Sequence, residues 1–305
     1  MKTKIVAMTT MCGDIFDATG EIRPGGEALN FAVIASEYPH VEISLVGAIG
    51  DDECGREILK SIQNKKIDQS CIHVVAGGTT ACNRTYLTEQ GDRYYKEDSW
   101  NGGVYNTFRL TDKDREKLKE ADIVFLNFEC TNFDEVLELK RKLGFQLAVD
   151  FDVARDLEKL ESIAADVDFF FISGEESLLP VFRDWSLKYD GIFNVTLAEK
   201  GSVSFQKGQE YRTLAVPVEE IIDTTGCGDS YHSAFICSYV KERDILKAME
   251  EGLFSDDFCG AYKKLPELSM RSIDDFCFYP YGENPLSACC GENEADRTAA
   301  YQIID

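Results

Sequence analysis

An aspartate behind a glycine-rich turn, in Asp223-Thr-Thr-Gly-Cys-Gly-Asp229, is the residue of this chain best placed to move a proton beside an anion. Gly226 and Gly228 flank the small Cys227, so the backbone can fold tightly there with its N–H groups converging. The residues after Asp229, Ser-Tyr-His-Ser-Ala-Phe-Ile-Cys-Ser-Tyr239, read as a helix whose positive dipole end makes the turn a cradle for phosphate. A carboxylate at that helix start can take a proton from an incoming hydroxyl while the amides stabilise a transferring phosphoryl group. Taken alone, the same residues also describe a plain glycine turn with Asp229 as helix cap, which is the commoner arrangement.

Such a turn needs a rigid frame, and the rest of the chain supplies one. Short apolar runs (Ile43 to Val46, Ile123 to Phe128, Leu147 to Phe151, Phe169 to Ser173 and Ile192 to Leu197) are what strands buried on both faces of a parallel sheet require. Amphipathic segments alternate with them. Thr111-Asp-Lys-Asp114 caps one that runs to Glu120, and Asn132 opens another that reaches Leu143. This alternation predicts an α/β fold with helices on both faces of the sheet. Met1 to Met8 reads as a first strand and not as an export signal.

Two stretches break the rhythm: residues 12–24 and about 76–105 are polar, glycine-bearing and alternating. The second reads as a hairpin around Glu89-Gln-Gly91, and together they predict a small sheet projecting from the main body. From about Leu265 the regular pattern fades into a tail with no readable role.

A net charge of −23 excludes nucleic acid and anionic membrane surfaces as expected partners. It also requires any phosphate ligand to be held by backbone amides, a few basic side chains and a metal ion. No apolar run approaches the roughly 20 residues that span a bilayer. The 11 cysteines form no Cys-x-x-Cys pair, and the 3 histidines (His40, His73, His232) are dispersed, so a zinc site is not expected. Reduced thiols in a cytoplasm are the expectation.

The order of three motifs is more specific than any one of them. The run ending at Asp229 resembles the carboxy-terminal signature of the ribokinase-like (PfkB) carbohydrate kinases. Pro24-Gly-Gly-Glu-Ala-Leu-Asn30 resembles their amino-terminal signature, and Val46-Gly-Ala-Ile-Gly-Asp-Asp-Glu-Cys-Gly55 resembles the family's glycine-aspartate segment between them. The likeness covers about residues 1–265. It implies one ribokinase-like domain over 1–305, a three-layer α/β/α sandwich with a small β-sheet lid from about 12–24 and 76–105. The tail from about 266 to 305 stands outside that pattern.

The resemblance also assigns roles. Asp229 becomes the general base, with Gly226, Cys227 and Gly228 as the anion hole. Asp14, read as closing the first strand, binds sugar hydroxyls, for which a carboxylate is a good acceptor. Gly25, Gly26 and Asn30 line the sugar, and Glu129 faces it from a strand end, where open α/β sheets bind ligands. Thr196, Lys200, Gly201 and Thr225 fall in the ATP region. Glu176 reaches Mg²⁺ through water, and Asp223 with Thr225 shapes a loop for a monovalent cation such as K⁺.

Each role has a blander counterpart. Asp14 and Glu129 could be ordinary loop polarity, Lys200 a solvated surface lysine, and Cys227 a tolerated small residue in place of alanine, although a thiol at a helix start can be oxidation-sensitive. Ser173 stands where the family shows asparagine, three residues before Glu176, and Ala198 stands where glycine is common.

The implied reaction is direct in-line transfer from ATP to a sugar hydroxyl with the lid excluding water. Gly103 to Asp114 and Val149-Asp-Phe-Asp152 resemble members that act on fructosamines such as fructoselysine. A free ketose, a sugar acid or a nucleoside are the other substrates implied. Glu27, a departure inside the first signature, suits an amine on the substrate or serves as a first-turn helix acid. The departures at 173 and 198 also admit a catalytically impaired relative that binds a ligand or regulates a partner. Exposed lid strands could pair two subunits as a homodimer. A dinucleotide-binding dehydrogenase is excluded, since no Gly-x-Gly-x-x-Gly follows the first strand.

Overall fold

The computed structural model describes residues 2–8, 10–87, 93–95, 99–215 and 226–262. The turn expected at Glu89–Gly91, the cation loop at Asp223 and Thr225, and the tail from about 266 lie outside the described residues.

The chain opens with β1 (Thr3–Ala7), followed by β2 (Cys12–Phe16), β3 (Ile22–Gly25) and α1 (Glu27–Ala35). Next come β4 (Val41–Gly50), α2 (Glu53–Ile62), β5 (Ile67–Val75), β6 (Ala81–Leu87) and β7 (Arg93–Tyr95). From α3 (Asp112–Lys119) helices and strands alternate through β8 (Ile123–Asn127), α4 (Phe133–Leu143), β9 (Gln146–Asp150) and α5 (Leu157–Ile163). The alternation ends with β10 (Phe169–Ser173), α6 (Leu179–Lys188) and β11 (Ile192–Thr196). A hairpin of β12 (Ser202–Gln206) and β13 (Gln209–Thr213) precedes α7 (Cys227–Glu242) and α8 (Ile245–Tyr262).

The nine-stranded main sheet has the order β13-β12-β11-β10-β9-β8-β1-β4-β5. Its strands run parallel except at the β11-β12-β13 edge. Parallel neighbours need crossovers, and the helices supply them and cover the two faces. Strand residues divide between those faces with period two. Ile5, Phe125, Phe169 and Phe171 join one buried cluster with Phe31 of α1 and Tyr231 and Phe235 of α7. Val6, Val124, Phe170 and Ile172 join the other, with Val136 of α4, Leu160 of α5 and Phe182 and Trp185 of α6. Both faces are therefore dry, as the unbroken apolar runs required.

The expected helix boundaries are met by local chemistry. Thr111 caps α3, and the Asp114 carboxylate accepts the Thr111 N–H at 2.8 Å, closing a capping box. α4 begins after Asn132 and ends at the left-handed Gly144.

The four-stranded second sheet has the order β3-β2-β6-β7 and draws on both stretches that broke the rhythm. It corrects the placement of Asp14. β1 ends at Ala7, and Asp14 lies in β2, opposite Arg23 of β3 and Asn83 of β6. The short apolar opening of the sequence merged two strands that belong to different sheets. Among the described residues no helix is long and apolar enough to cross a membrane, and the described cysteines form no disulfide.

Candidate active site

Two helix starts meet above the main sheet, and their sequences explain the meeting. α7 begins after Gly226, whose left-handed backbone (φ 77°) turns the chain into the helix. A side chain there would also press on Asn30, since a Cβ would lie 3.3 Å from its amide nitrogen. The first bond within α7 runs from Ser230 N–H to Gly226 O at 2.9 Å, so the amides of residues 227–229 have no acceptor inside the helix. They form the open end of the dipole, as a phosphate cradle requires.

α1 lies against α7, fixed by the Ser233 hydroxyl donating to Phe31 O at 2.9 Å. This packing delivers Asn30 to Asp229: the Asn30 amide Nδ2 donates to Asp229 Oδ2 at 2.8 Å. Residues 199 positions apart, one from each terminal motif, thus share one hydrogen bond.

Behind them lies a cluster of acids. Burial, opposed by the Asn30 bond and reinforced by the nearby Asp150 charge, pushes the Asp229 carboxyl up to about 6. Asp150, buried at the carboxyl end of β9, is pushed up to about 7, again mainly by burial. Glu27 is held well above the usual carboxylate range by burial and by the charge of Asp229. Its Oε1 accepts from Asn127 Nδ2 at 2.7 Å. His232, three residues after Asp229, is 4% exposed, and burial lowers it to about 4, so it is neutral at pH 7.

Asp150, Asn127 and His232 were not recognised as site residues from sequence. Signals existed for two of them. Asp150 closes an apolar strand with a lone charge, and His232 shares a helix face with Asp229 at spacing i, i+3. Asn127 gave none, because it reads as one more residue of a buried run.

On the sugar side, Asp14 is 6% exposed, and its Oδ2 lies 3.5 Å from where a Gly25 Cβ would be. Gly26 (φ 99°) immediately precedes α1. The structure therefore brings Asp14, Gly25, Gly26, Asn30 and Asp229 around one region. Glu129 is exposed just beyond β8, and its N–H donates to Asn127 Oδ1 at 2.6 Å. Asn127, two residues earlier, is the residue of this strand end that reaches the acid cluster.

The expected nucleotide side lies at the neighbouring strand ends. Thr196 closes β11 and donates its hydroxyl to Ser173 Oγ at 3.3 Å, while Ser173 N–H bonds Asp152 O at 2.8 Å. Glu176 and Lys200 are exposed and paired at 3.7 Å. Gly201 is buried after the short turn that carries Ala198.

Ala198 has a left-handed backbone (φ 52°), a conformation that glycine adopts without the steric cost a Cβ brings. Ala198→Gly is therefore expected to raise stability by roughly 0.5–1 kcal/mol, the relieved strain exceeding glycine's entropic cost. Denaturant unfolding of the two proteins checks this, and a loss of stability would contradict it.

Residues 17–253 match the pfkB family carbohydrate kinase pattern. The chain is 28% identical over 255 residues to fructoselysine 6-kinase of Escherichia coli strain K12, covering 83% of this chain and 95% of that protein. It is 25% identical over 273 residues to fructosamine kinase FrlD of Bacillus subtilis strain 168, covering 85% and 92%. Among solved structures, Arabidopsis thaliana ribokinase complexed with ribose and ATP superposes with a TM-score of 0.72 at 18% identity, covering 90% of this chain and 96% of that one. The ribokinase-like fold and the family match over most of the sequence agree with the converging helix starts: the chain belongs to the pfkB carbohydrate kinases, phosphotransferases with an alcohol group as acceptor.

Proposed function

We propose that this kinase passes the γ-phosphoryl group of ATP to a hydroxyl of a fructosamine such as fructoselysine, with Asp229 as general base. The observation that carries the catalytic part is the 2.8 Å bond from Asn30 to Asp229, which ties the sugar-side motif to the anion cradle. Asn30 holds one carboxylate oxygen of Asp229, leaving the other to accept the hydroxyl proton. The amides of Gly226, Cys227 and Gly228 face the phosphoryl group and stabilise its charge without reorganising. In-line transfer then needs no covalent enzyme intermediate.

ATP of this family generally carries Mg²⁺, and the exposed Glu176 carboxylate, paired with Lys200 at 3.7 Å, suits a water-mediated hold on that ion. When bound, Mg²⁺ neutralises phosphate charge. Thr196, Lys200 and Gly201 border the nucleotide, and the loop of Asp223 and Thr225 is proposed for K⁺.

The substrate half rests on two supports. Relatives named as fructoselysine and fructosamine kinases cover most of the chain. The acidic side chains Asp14 and Glu27 offer acceptor oxygens to hydroxyl and amine hydrogens, which favours an amine-bearing sugar over a sugar acid. The second sheet, β3-β2-β6-β7, serves as the lid, and its edges are proposed to pair in a homodimer.

ATP consumption measured against ketoses, fructosamines, sugar acids and nucleosides tests the reading, with product NMR locating the phosphate. Turnover highest on a fructosamine is the expected result. Turnover highest on a sugar acid would overturn the substrate assignment. No turnover on any of them, with nucleotide binding intact, would make the chain a ligand-binding relative.

The pH profile tests the base itself. Because Asp229 must be ionised, kcat/KM is expected to fall about tenfold per pH unit below about pH 6. A profile flat down to pH 5 would remove Asp229 from that role.

A further inference from the structure

His232 presents a puzzle that phosphoryl transfer does not solve. Its Nδ1 is buried without a hydrogen-bond partner among the described residues, although the residue is only 4% exposed. An unsatisfied buried nitrogen costs on the order of 1–3 kcal/mol and calls for an explanation. That nitrogen lies 3.8 Å from Asp150 Oδ2. Asp150, Asp229 and His232 each bring one donor atom within 4.8 Å of the others.

We propose that Asp150, Asp229 and His232 bind one divalent transition-metal ion, of the kind represented by Mn²⁺. Bonds of about 2.0–2.2 Å to such an ion put neighbouring donors roughly 3–3.5 Å apart. The 3.8 Å between His232 Nδ1 and Asp150 Oδ2, and the separations of at most 4.8 Å within the three-donor set, must each shorten for all three to bind one ion. Two carboxylates and one imidazole suit this class of cation.

The site differs in chemistry from a Mg²⁺ site, which uses oxygen ligands and keeps most of its water. It also differs in place. Glu176 and Lys200 sit beyond β10 and β11, whereas His232 lies under the start of α7 with its ring 4.4 Å from Phe171 and 6.0 Å from Phe125. These rings form a dry wall of the kind that surrounds metal centres.

A metal at this position engages Asp229, so it competes with the sugar hydroxyl for the same carboxylate. That consequence rests on the reading of Asp229 as the base; the binding site itself does not.

Mn²⁺ binding to the full chain without ATP, followed by the loss of the free-ion EPR signal, tests the site. One ion per chain is expected, with affinity lowered at least tenfold by His232→Asn or Asp150→Asn, a loss typical of metal-site substitutions. Glu176→Gln should bind Mn²⁺ as tightly as the parent. No bound Mn²⁺, or His232→Asn binding like the parent, overturns the proposal. Anomalous scattering at the manganese edge from parent crystals guards against a misfolded variant. A peak bonded to His232 supports the site, and a peak only near Glu176 overturns it. Kinetics at saturating Mg-ATP separate the two readings: Mn²⁺ bound without competing with the sugar leaves the metal site standing and removes Asp229 as the base.

Discussion

Asp229→Asn is expected to lower kcat by roughly 10²- to 10⁴-fold while leaving ATP binding intact, the range a lost general base commonly produces. The substitution is nearly isosteric, and the side-chain oxygen of the introduced asparagine can still accept from the Asn30 amide, which donates at 2.8 Å in the parent. What disappears is the capacity to take a proton. The glycine cradle is untouched, so residual transfer through positioning and amide stabilisation sets the floor of activity. Single-turnover measurement with ATP and a saturating sugar separates chemistry from product release. Near-parental turnover on the true substrate would sink the assignment.

The same variant should be more stable than the parent at pH 8. Burial raises the folded Asp229 carboxyl to about 6, above its ordinary value near 3.8. A group raised on folding contributes stability that is fully present below the unfolded value and lost as pH rises through the folded one. At pH 8 the parent therefore holds a charge that the fold disfavours, with Asp150, itself raised to about 7, ionising nearby. Each unit of such a shift is about 1.4 kcal/mol, so a gain of a few degrees in Tm is expected at pH 8. The advantage should shrink by pH 5. Activity and stability then move in opposite directions at one residue, as expected where a site is built against the preferences of its own fold.

The fold was legible because its signals are local. Phe169 to Ser173 reads as a buried strand from composition alone, and β10 has those bounds. Thr111 announces its helix by capping chemistry within a few residues, and Asn132 marks the start of α4 by residue type without a side-chain capping bond. Asp14 was misplaced because the break between β1 and β2 carries no proline or long polar stretch, and only sheet pairing separates the two. The site was legible where it depends on backbone, as in the glycines before Asp229. It was illegible where it depends on distant side chains meeting: nothing near Asn127 in the sequence indicates that it bonds Glu27, 100 positions away.

Gly26→Ala is expected to be the most damaging single-methyl substitution in the sugar-side motif, lowering stability by roughly 3 kcal/mol or more. The sequence suggests that Gly26 clears space for a sugar. The structure points to a different obstacle, since a Cβ at Gly26 would overlap the carbonyl oxygen of Thr10 in the segment between β1 and β2. The backbone there (φ 99°, ψ 144°) lies in a region almost confined to glycine, and strain alone is on the order of 1–3 kcal/mol. Relief of the overlap would require α1 to shift away from β2. Asn30 moves with α1 because its N–H bonds Gly26 O at 2.9 Å, so its hold on Asp229 loosens as well. Thermal unfolding should show a fall of several degrees, and kcat should drop more than KM rises, because the displaced group supports the proposed base. A variant with parental Tm and kcat but raised KM would instead mean that Gly26 is present only to admit the sugar.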